Sequence, residues 1–264
     1  MSSLHNRREF LRGGALLAVA SALGFAGAFG LRRAEAADGD DVQTIVNVAA
    51  TAETFACTHY YRTLTSNIRF TSQQTQYIRA ALEQELAHLE FLNANGAKAL
   101  ADSFYFPVNT YRSAISFGAF SAIAETVFVG AYLAAARRFA ELGNPLLAAT
   151  AAQVAVIEGQ HLALVRQTAG ELPNNVALGE PKFWNTSEAA PVLEPILTGK
   201  GNSLGKLETS PVKFPGADAI HKLISKSALS PVKPFTDPSL APGAAASATA
   251  AATPAATMAA TEAK

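Results

Sequence analysis

Two stretches of this chain carry a glutamate followed three residues later by a histidine. Glu85 and His88 lie in one apolar, helix-like segment, and Glu158 and His161 lie in another. A spacing of three places both side chains of a pair on the same face of a helix. Because the chain has only 5 histidines in 264 residues, two such pairs are improbable by chance. The pattern predicts two helices that each direct a carboxylate and an imidazole to one place.

Two single glutamates extend this pattern. Glu53 is the only acidic residue in the stretch 42–82, and Glu125 is the only charged residue in the stretch 113–136. A carboxylate buried in such apolar surroundings is strongly unfavourable unless it finds a partner or takes up a proton. Any one of these glutamates taken alone is most simply a solvated or ion-paired residue. Four of them, together with two histidines, indicate a shared polar site inside an apolar interior.

Four helices are predicted by apolar residues that recur at spacings of three and four and by capping residues at the ends of each stripe. The predicted helices cover residues 40–66, 71–95, 113–136 and 145–165. The third and fourth carry almost no charge, so we expect both to be buried nearly all round. The chain therefore predicts an all-α bundle of four helices.

The levels of the four glutamates along these helices agree with one another. Glu53 and Glu85 lie equally far from the turn at about residue 69, so the first helical hairpin brings them side by side. Glu125 and the second histidine pair lie at similar distances from the turn near residue 143. The connection 97–113 is long enough to return to the starting end of the bundle. The expected topology therefore has one long crossover, which makes helices two and three parallel.

The order Glu, Glu-x-x-His, Glu, Glu-x-x-His over residues 40–172 resembles the ferritin-like di-iron carboxylate superfamily. The resemblance implies a ferritin-like four-helix bundle that binds two iron ions, with two manganese ions as the alternative. By the superfamily's pattern Glu85 and Glu158 would bridge the two metals. Four carboxylates and two divalent cations sum to zero charge, and oxygen and nitrogen ligands suit iron or manganese. The implied metal ligands are Glu53, Glu85, His88, Glu125, Glu158 and His161. Glu53 and His88 would be terminal on one metal, and Glu125 and His161 on the other.

Several other residues near this pattern have simpler interpretations. Cys57 is expected to be a small buried residue, with a reactive or metal-binding thiol as the alternative. Tyr60 and Tyr132 each stand seven residues after an inward glutamate, and we expect core residues there, with redox-active tyrosines as the alternative. Glu83 is expected at the surface, turned away from the site. His59 matches no ligand spacing.

The amino-terminal residues resemble a twin-arginine export signal. An Arg-Arg pair followed by Phe-Leu lies in residues 6–12, a weakly hydrophobic run covers 13–31, and Ala34 and Ala36 offer a cleavage site. A membrane anchor is the alternative. The expected organisation is a signal peptide at 1–36, the bundle at 37–172 and further segments after it. Such a signal places the mature protein in the periplasm or outside the cell, with no stable membrane insertion after cleavage.

The carboxy-terminal third has no helical periodicity of comparable length. Residues 173–240 are rich in Pro, Gly, Ser and Lys, and we expect an irregular extension that wraps over the bundle, with one short helix at 218–226. Phe183, Trp184 and Phe214 are the candidates to pack on the bundle. Residues 241–264 are mostly alanine with threonine, proline and serine, a composition typical of disorder.

The export signal and the long extension also resemble bacterial exported ferritin-like proteins related to plant desiccation-associated proteins. The expected function is oxidation of Fe(II) with dioxygen or peroxide in iron and oxidative-stress handling. One alternative is peroxide disproportionation by a dimanganese, catalase-like centre, and another is a non-enzymatic protein of stress or desiccation. Because 21 basic residues balance 21 acidic ones, nucleic acid is not an expected partner. The expected partners are metal ions and the oxidant, and a homo-oligomer is compatible with the sequence.

Overall fold

Four long helices form the body of the molecule. The computed structural model describes residues 39–225 and 229–240, so the expected signal peptide and alanine-rich tail lie outside the described residues. The helices are α1 (Val42–Leu64), α2 (Ser72–Ala94), α3 (Ala114–Glu141) and α4 (Pro145–Thr168). The prediction of an all-α bundle is confirmed.

The helix ends lie close to the residues that the capping signals predict. The Asp41 side chain accepts the first hydrogen bond at the start of α1. Thr71 and Gln74 form a reciprocal capping box at the start of α2, in which each side chain accepts a hydrogen bond from the backbone N–H of the other residue. Asn144 caps α4 directly before a proline, and Gly143 takes the positive φ of 71° that the turn between α3 and α4 requires.

Two side-chain contacts between α1 and α3 establish the direction of the helices. Tyr60 contacts Glu125, whereas Glu53, seven residues earlier, contacts Tyr132, seven residues later. Helices α1 and α3 are therefore antiparallel. Since α1 and α2 form a hairpin, α2 and α3 run parallel, and the connection between them returns to the starting end of the bundle. The predicted single crossover is confirmed.

Helix α3 is longer than predicted and largely buried. It continues to Glu141. The carboxylate of Glu141 forms an ion pair with Arg138 at 3.2 Å and another with Arg137. By length and composition alone α3 could cross a membrane, but 61% of its most apolar window is buried inside the protein. This is the environment of the core helix of a bundle.

The expectation that α4 is buried nearly all round was wrong. Leu146 and Val156 on its outer side are 53% and 63% exposed. Each helix of a four-helix bundle contacts its neighbours on its inner side only, and the outer side stays open unless another element covers it. The extension reaches α4 near Gln153, which bonds the backbone of Lys233 and Phe235.

The extension after α4 holds more regular structure than the sequence predicts. It carries helices α5 (Ala190–Thr198) and α6 (Ala217–Ile224), and strand β2 (Val212–Lys213) pairs antiparallel with β1 (Ser103–Phe104) in the crossover. The expected helix at 218–226 corresponds to α6. Short 3-10 turns cover Thr110–Arg112, Thr186–Ala189 and Pro238–Leu240. The extension and the crossover therefore hold each other in place.

Aromatic residues attach the crossover and the extension to the bundle. Phe104 and Phe106 are fully buried, and Phe183 and Phe214 pack at the edges of the core. Trp184 differs, because its ring is mostly exposed and stacks under the guanidinium of Arg137 at 4.0 Å. Two of the three aromatic anchors expected in the extension thus pack on the bundle, while the third lies on its surface.

Candidate metal centre

All six glutamate and histidine side chains singled out in the sequence meet at one level of the bundle. Helices α1 and α3 each contribute one glutamate, and α2 and α4 each contribute a glutamate with the histidine one turn later. The four carboxyl groups and His161 are at most 2% exposed. The side chain of His88 is 14% exposed, so it is the most accessible member of the cluster.

The cluster consists of two overlapping groups. One contains Glu53, Glu85, His88 and Glu158, and the other contains Glu85, Glu125, Glu158 and His161. Within each group one ligand-type atom from every residue lies within 4.8 Å of all the others. Glu85 and Glu158 belong to both groups, so these two carboxylates lie between two potential metal positions. Each group could hold a metal ion.

The two histidines face the carboxylates in nearly equivalent ways. Nδ1 of His161 lies 3.0 Å from Glu85 and 3.2 Å from Glu158. Nδ1 of His88 lies 3.2 Å from Glu158, 3.7 Å from Glu85 and 3.6 Å from Glu53. Each imidazole therefore directs the same nitrogen towards both shared carboxylates.

Many polar atoms of the cluster lack a hydrogen-bond partner within the described part of the chain. These atoms are Oε2 of Glu53, both carboxylate oxygens of Glu85, Nδ1 of His88, Oε2 of Glu125 and Oε1 of Glu158. Buried polar atoms are nearly always paired in native proteins, and an unpaired one costs about 1–3 kcal/mol. Six unpaired atoms in a single cluster fit bound cations, which accept electron pairs from these atoms.

The comparison with known families agrees with this geometry. The model of a ferritin-like domain family matches residues 40–171, which is half of the chain. The chain belongs to the ferritin-like family. No curated protein and no solved structure matches it significantly. The matched region of this ferritin-like protein contains the four bundle helices and all six residues of the cluster.

The carboxyl groups of the ferritin-like domain differ in their tendency to bind protons. Burial raises the pKa of Glu53 and Glu125 well above the usual value, and the negative charge of Glu85 raises both further. Burial also acts to raise the pKa of Glu85, but the positive charge of His161, together with the close contacts to both histidines, outweighs it and lowers that pKa. The outer carboxyls thus hold protons more tightly than the shared Glu85.

The histidines of the cluster hold their protons more tightly than free imidazoles. Burial alone would lower both pKa values, but the neighbouring carboxylates more than compensate. Glu53 and Glu158 raise the pKa of His88, and Glu85 and Glu158 raise that of His161. Without a cation, protons on the two histidines balance the negative charge of the neighbouring carboxylates. A metal ion must displace such protons in order to bind.

Two tyrosines of this ferritin-like domain support the outer carboxylates. The Tyr60 hydroxyl donates to Glu125, and the Tyr132 hydroxyl donates to Glu53. In the sequence each tyrosine follows a glutamate of its own helix by seven residues. The structure instead pairs each tyrosine with the glutamate of the opposite helix, because α1 and α3 are antiparallel.

Gln84 is a residue of the site that the sequence does not reveal. Its Oε1 accepts a hydrogen bond from Nε2 of His161 at 2.8 Å, and this bond leaves Nδ1 as the nitrogen that faces the carboxylates. Gln84 directly precedes Glu85, and the residue that directly precedes Glu158 is the apolar Ile157. The two halves of the cluster are therefore not equivalent in their outer contacts.

The remaining polar residues near the cluster lie outside both groups. Cys57 is fully buried in the apolar core. Glu83 is buried rather than exposed, which corrects the expectation of a surface position. His59 is enclosed by aromatic rings, and its ring nitrogens contact Tyr111 at 2.9 Å and Ser121 at 2.8 Å. These contacts explain why a buried histidine occurs here without a ligand spacing.

Proposed function

We propose that this ferritin-like protein binds two Fe(II) ions as substrates at the six-residue cluster and oxidises them with dioxygen or peroxide. The support is the pair of overlapping groups that share Glu85 and Glu158. In the proposed arrangement Glu53 and His88 complete one position, and Glu125 and His161 complete the other. Iron supplies the redox chemistry, since each Fe(II) gives up one electron.

The proposed reaction balances with either oxidant. Two Fe(II) ions yield two electrons and become Fe(III). Dioxygen takes up the two electrons with two protons and leaves as hydrogen peroxide, whereas hydrogen peroxide takes up two electrons with two protons and leaves as water. Protons that Fe(II) displaces from the histidines and outer carboxyl groups are a local source for this step.

The protein's own groups keep the site ready for two cations. The tyrosines hold Glu53 and Glu125, and Gln84 orients His161. Preorganised ligands of this kind bind without paying the entropy of ordering at the moment of binding. The apolar walls around the cluster exclude water and strengthen the electrostatic attraction between carboxylates and cations.

The proposal is tested by anaerobic Fe(II) titration followed by exposure to oxidant. Wild-type protein is expected to bind two Fe(II) per chain and to oxidise them rapidly. Glu85→Gln should lose both binding events, because Glu85 belongs to both groups. Glu90→Gln on the same helix removes an exposed carboxylate and should behave like wild type. Equal binding in the two variants would refute the proposed site.

Three further measurements separate the two alternatives from the proposal. Peroxide turnover without added Fe(II), together with manganese in the purified protein, would support a dimanganese centre. Unchanged stress protection in cells that carry Glu85→Gln would support a structural role in which metal binding is dispensable.

We further propose export of the folded, metal-loaded protein by the twin-arginine route. The support is the sequence pattern in residues 6–12. Replacement of Arg7 and Arg8 by lysine is expected to leave the protein in the cytoplasm, as cell fractionation would measure. Normal export of this double variant would contradict the proposed route.

A further inference from the structure

A small cavity adjoins the half of the cluster that contains His88. It has a volume of about 40 Å³, and both His88 and Tyr132 form part of its wall. Most of the remaining wall is aliphatic or aromatic and comes from all four bundle helices. Its apolar residues include Val46, Leu92, Phe139, Leu147, Ala151 and Val154. We call it the His88 cavity.

The opposite half of the cluster is closed. The side chain of His161 is 1% exposed, its outer nitrogen is bonded to Gln84, and its ring packs against Tyr60. His88 is more accessible and lines the cavity. A small molecule in the His88 cavity would contact the rings of His88 and Tyr132, and the Tyr132 hydroxyl bonds Glu53. The cavity thus offers an approach to the Glu53 and His88 position.

The chemistry of the wall restricts the guest. A hydrated Fe(II) ion would lose its water without gaining oxygen ligands in an apolar cavity, which is strongly unfavourable. A small apolar molecule faces no such cost, and apolar cavities in proteins are known to take up xenon. The volume exceeds the roughly 10–15 Å³ that a single water-sized probe needs and is far below the roughly 300–1,000 Å³ of ordinary ligand pockets, so the guest has very few heavy atoms.

We propose that the His88 cavity binds dioxygen and delivers it to the Glu53 and His88 position of the cluster. This proposal rests on the proposed Fe(II) oxidation for its role, but gas binding in the cavity is independent of metal. Dioxygen then arrives at this position first, and hydrated Fe(II) does not enter through the apolar cavity.

Xenon, which binds where small apolar gases bind, tests the cavity directly. In metal-free crystals under xenon pressure, one xenon atom beside His88 is expected in the wild type. Ala151→Leu fills the cavity and should remove the xenon. Ala152→Leu adds the same atoms to the exposed side of the same helix and should retain it. Absence of xenon from the wild-type cavity would overturn the proposal, whatever the outcome of the iron experiments.

Kinetics then test delivery. Ala151→Leu should still bind two Fe(II) per chain but should oxidise them with dioxygen at least tenfold more slowly than Ala152→Leu. Unchanged oxidation in a variant that has lost xenon would refute delivery through the cavity while leaving the proposed function intact. If Ala151→Leu does not fold, Val46→Ile serves as the test variant in its place, because it adds only a single methylene to the same wall.

Thr150 distinguishes dioxygen from a polar guest such as hydrogen peroxide. Thr150 lines the cavity, and its hydroxyl has no hydrogen-bond partner among the described residues. Other helical threonines, such as Thr54 and Thr168, donate to a carbonyl one turn earlier. Thr150→Val keeps the volume and removes the hydroxyl, so oxidation by dioxygen should be unchanged. A tenfold loss of this rate would indicate a hydrogen-bonded guest and would overturn the assignment of dioxygen.

Discussion

Tyr60 and Tyr132 are the residues that connect the two outer glutamates to the opposite helices. The sequence contains the signal for this arrangement, since each tyrosine follows a glutamate by seven residues, but the pairing depends on the direction of α3 relative to α1. That direction is a property of the whole bundle. The identity of the six clustered residues could therefore be predicted from local spacing, whereas their supporting hydrogen bonds could not.

Removal of a supporting hydroxyl is expected to destabilise the metal-free protein. Tyr132→Phe leaves a carboxylate oxygen of Glu53 buried without its donor. The free energy of unfolding should fall by about 1–3 kcal/mol. Tyr77→Phe removes a hydroxyl that bonds Gln73 at the protein surface, and it should change stability by less than about 0.5 kcal/mol. Chemical denaturation measures both values, and equal effects would contradict the supporting role of Tyr132.

His59 is expected to make the metal-free protein sensitive to acid. Burial, and to a smaller extent the positive charge of Arg62, lowers the pKa of His59 to about 3. In the unfolded chain the pKa is about 6.5. Between these values the unfolded state binds one proton more than the folded state, so stability present above about pH 6.5 is lost as the pH falls towards 3.

The His59 contribution is measurable with a variant that cannot titrate. His59→Gln keeps a hydrogen-bond donor and acceptor. From pH 6 to pH 4 the free energy of unfolding should fall less steeply in this variant than in the wild type, by roughly 1.4 kcal/mol per pH unit. Urea denaturation at several pH values gives both curves, and parallel curves would show that His59 does not carry this dependence.

Close contact between α3 and α4 depends on Gly118. A Cβ atom at this position would lie 2.6 Å from the carbonyl oxygen of Val165 and 2.7 Å from the backbone nitrogen of Ala169. Backbone atoms cannot move aside cheaply, so Gly118→Ala should lower the free energy of unfolding by about 1–3 kcal/mol. The expected cause is separation of the two helices.

Gly159 supplies the matched control on α4. A Cβ atom there meets nothing within 4 Å, and the residue lies inside the helix. Gly159→Ala should therefore stabilise the protein by about 0.5–1 kcal/mol, the usual difference in helix propensity. Thermal unfolding of the two variants should show opposite shifts. A similar destabilisation by both would mean that the space at Gly118 is not the reason for its effect.

Helices with caps and long apolar stripes could be predicted closely, whereas of the short elements of the extension only α6 could. Asp41, Thr71 and Ser113 mark helix starts because their side chains bond the first turn. Strands β1 and β2 have two residues each, too few for any alternation to appear. Helix α5 contains Pro195, and a proline in the sequence argues against a helix. The helix forms nevertheless, packed against strand β1 of the crossover.

At the scale of the whole molecule, the bundle is expected to depend on its metals for stability. A ligand that binds only the folded state stabilises it by RT ln(1 + [L]/Kd), and cations would also relieve the repulsion among four buried carboxyl groups. Chelation should therefore lower the melting temperature markedly, and added Fe(II) under anaerobic conditions should restore it. The Glu85→Gln variant should melt at the same temperature with and without chelator.

The metal content of protein purified from its own host tests the central claim most directly. Elemental analysis should give close to two iron ions per chain for the wild type and for Glu90→Gln, and close to none for Glu85→Gln. Manganese in place of iron at the same ratio would keep the dinuclear centre and change its chemistry. A wild-type ratio near zero, or a ratio that Glu85→Gln leaves unchanged, would contradict a metal centre formed by these six side chains.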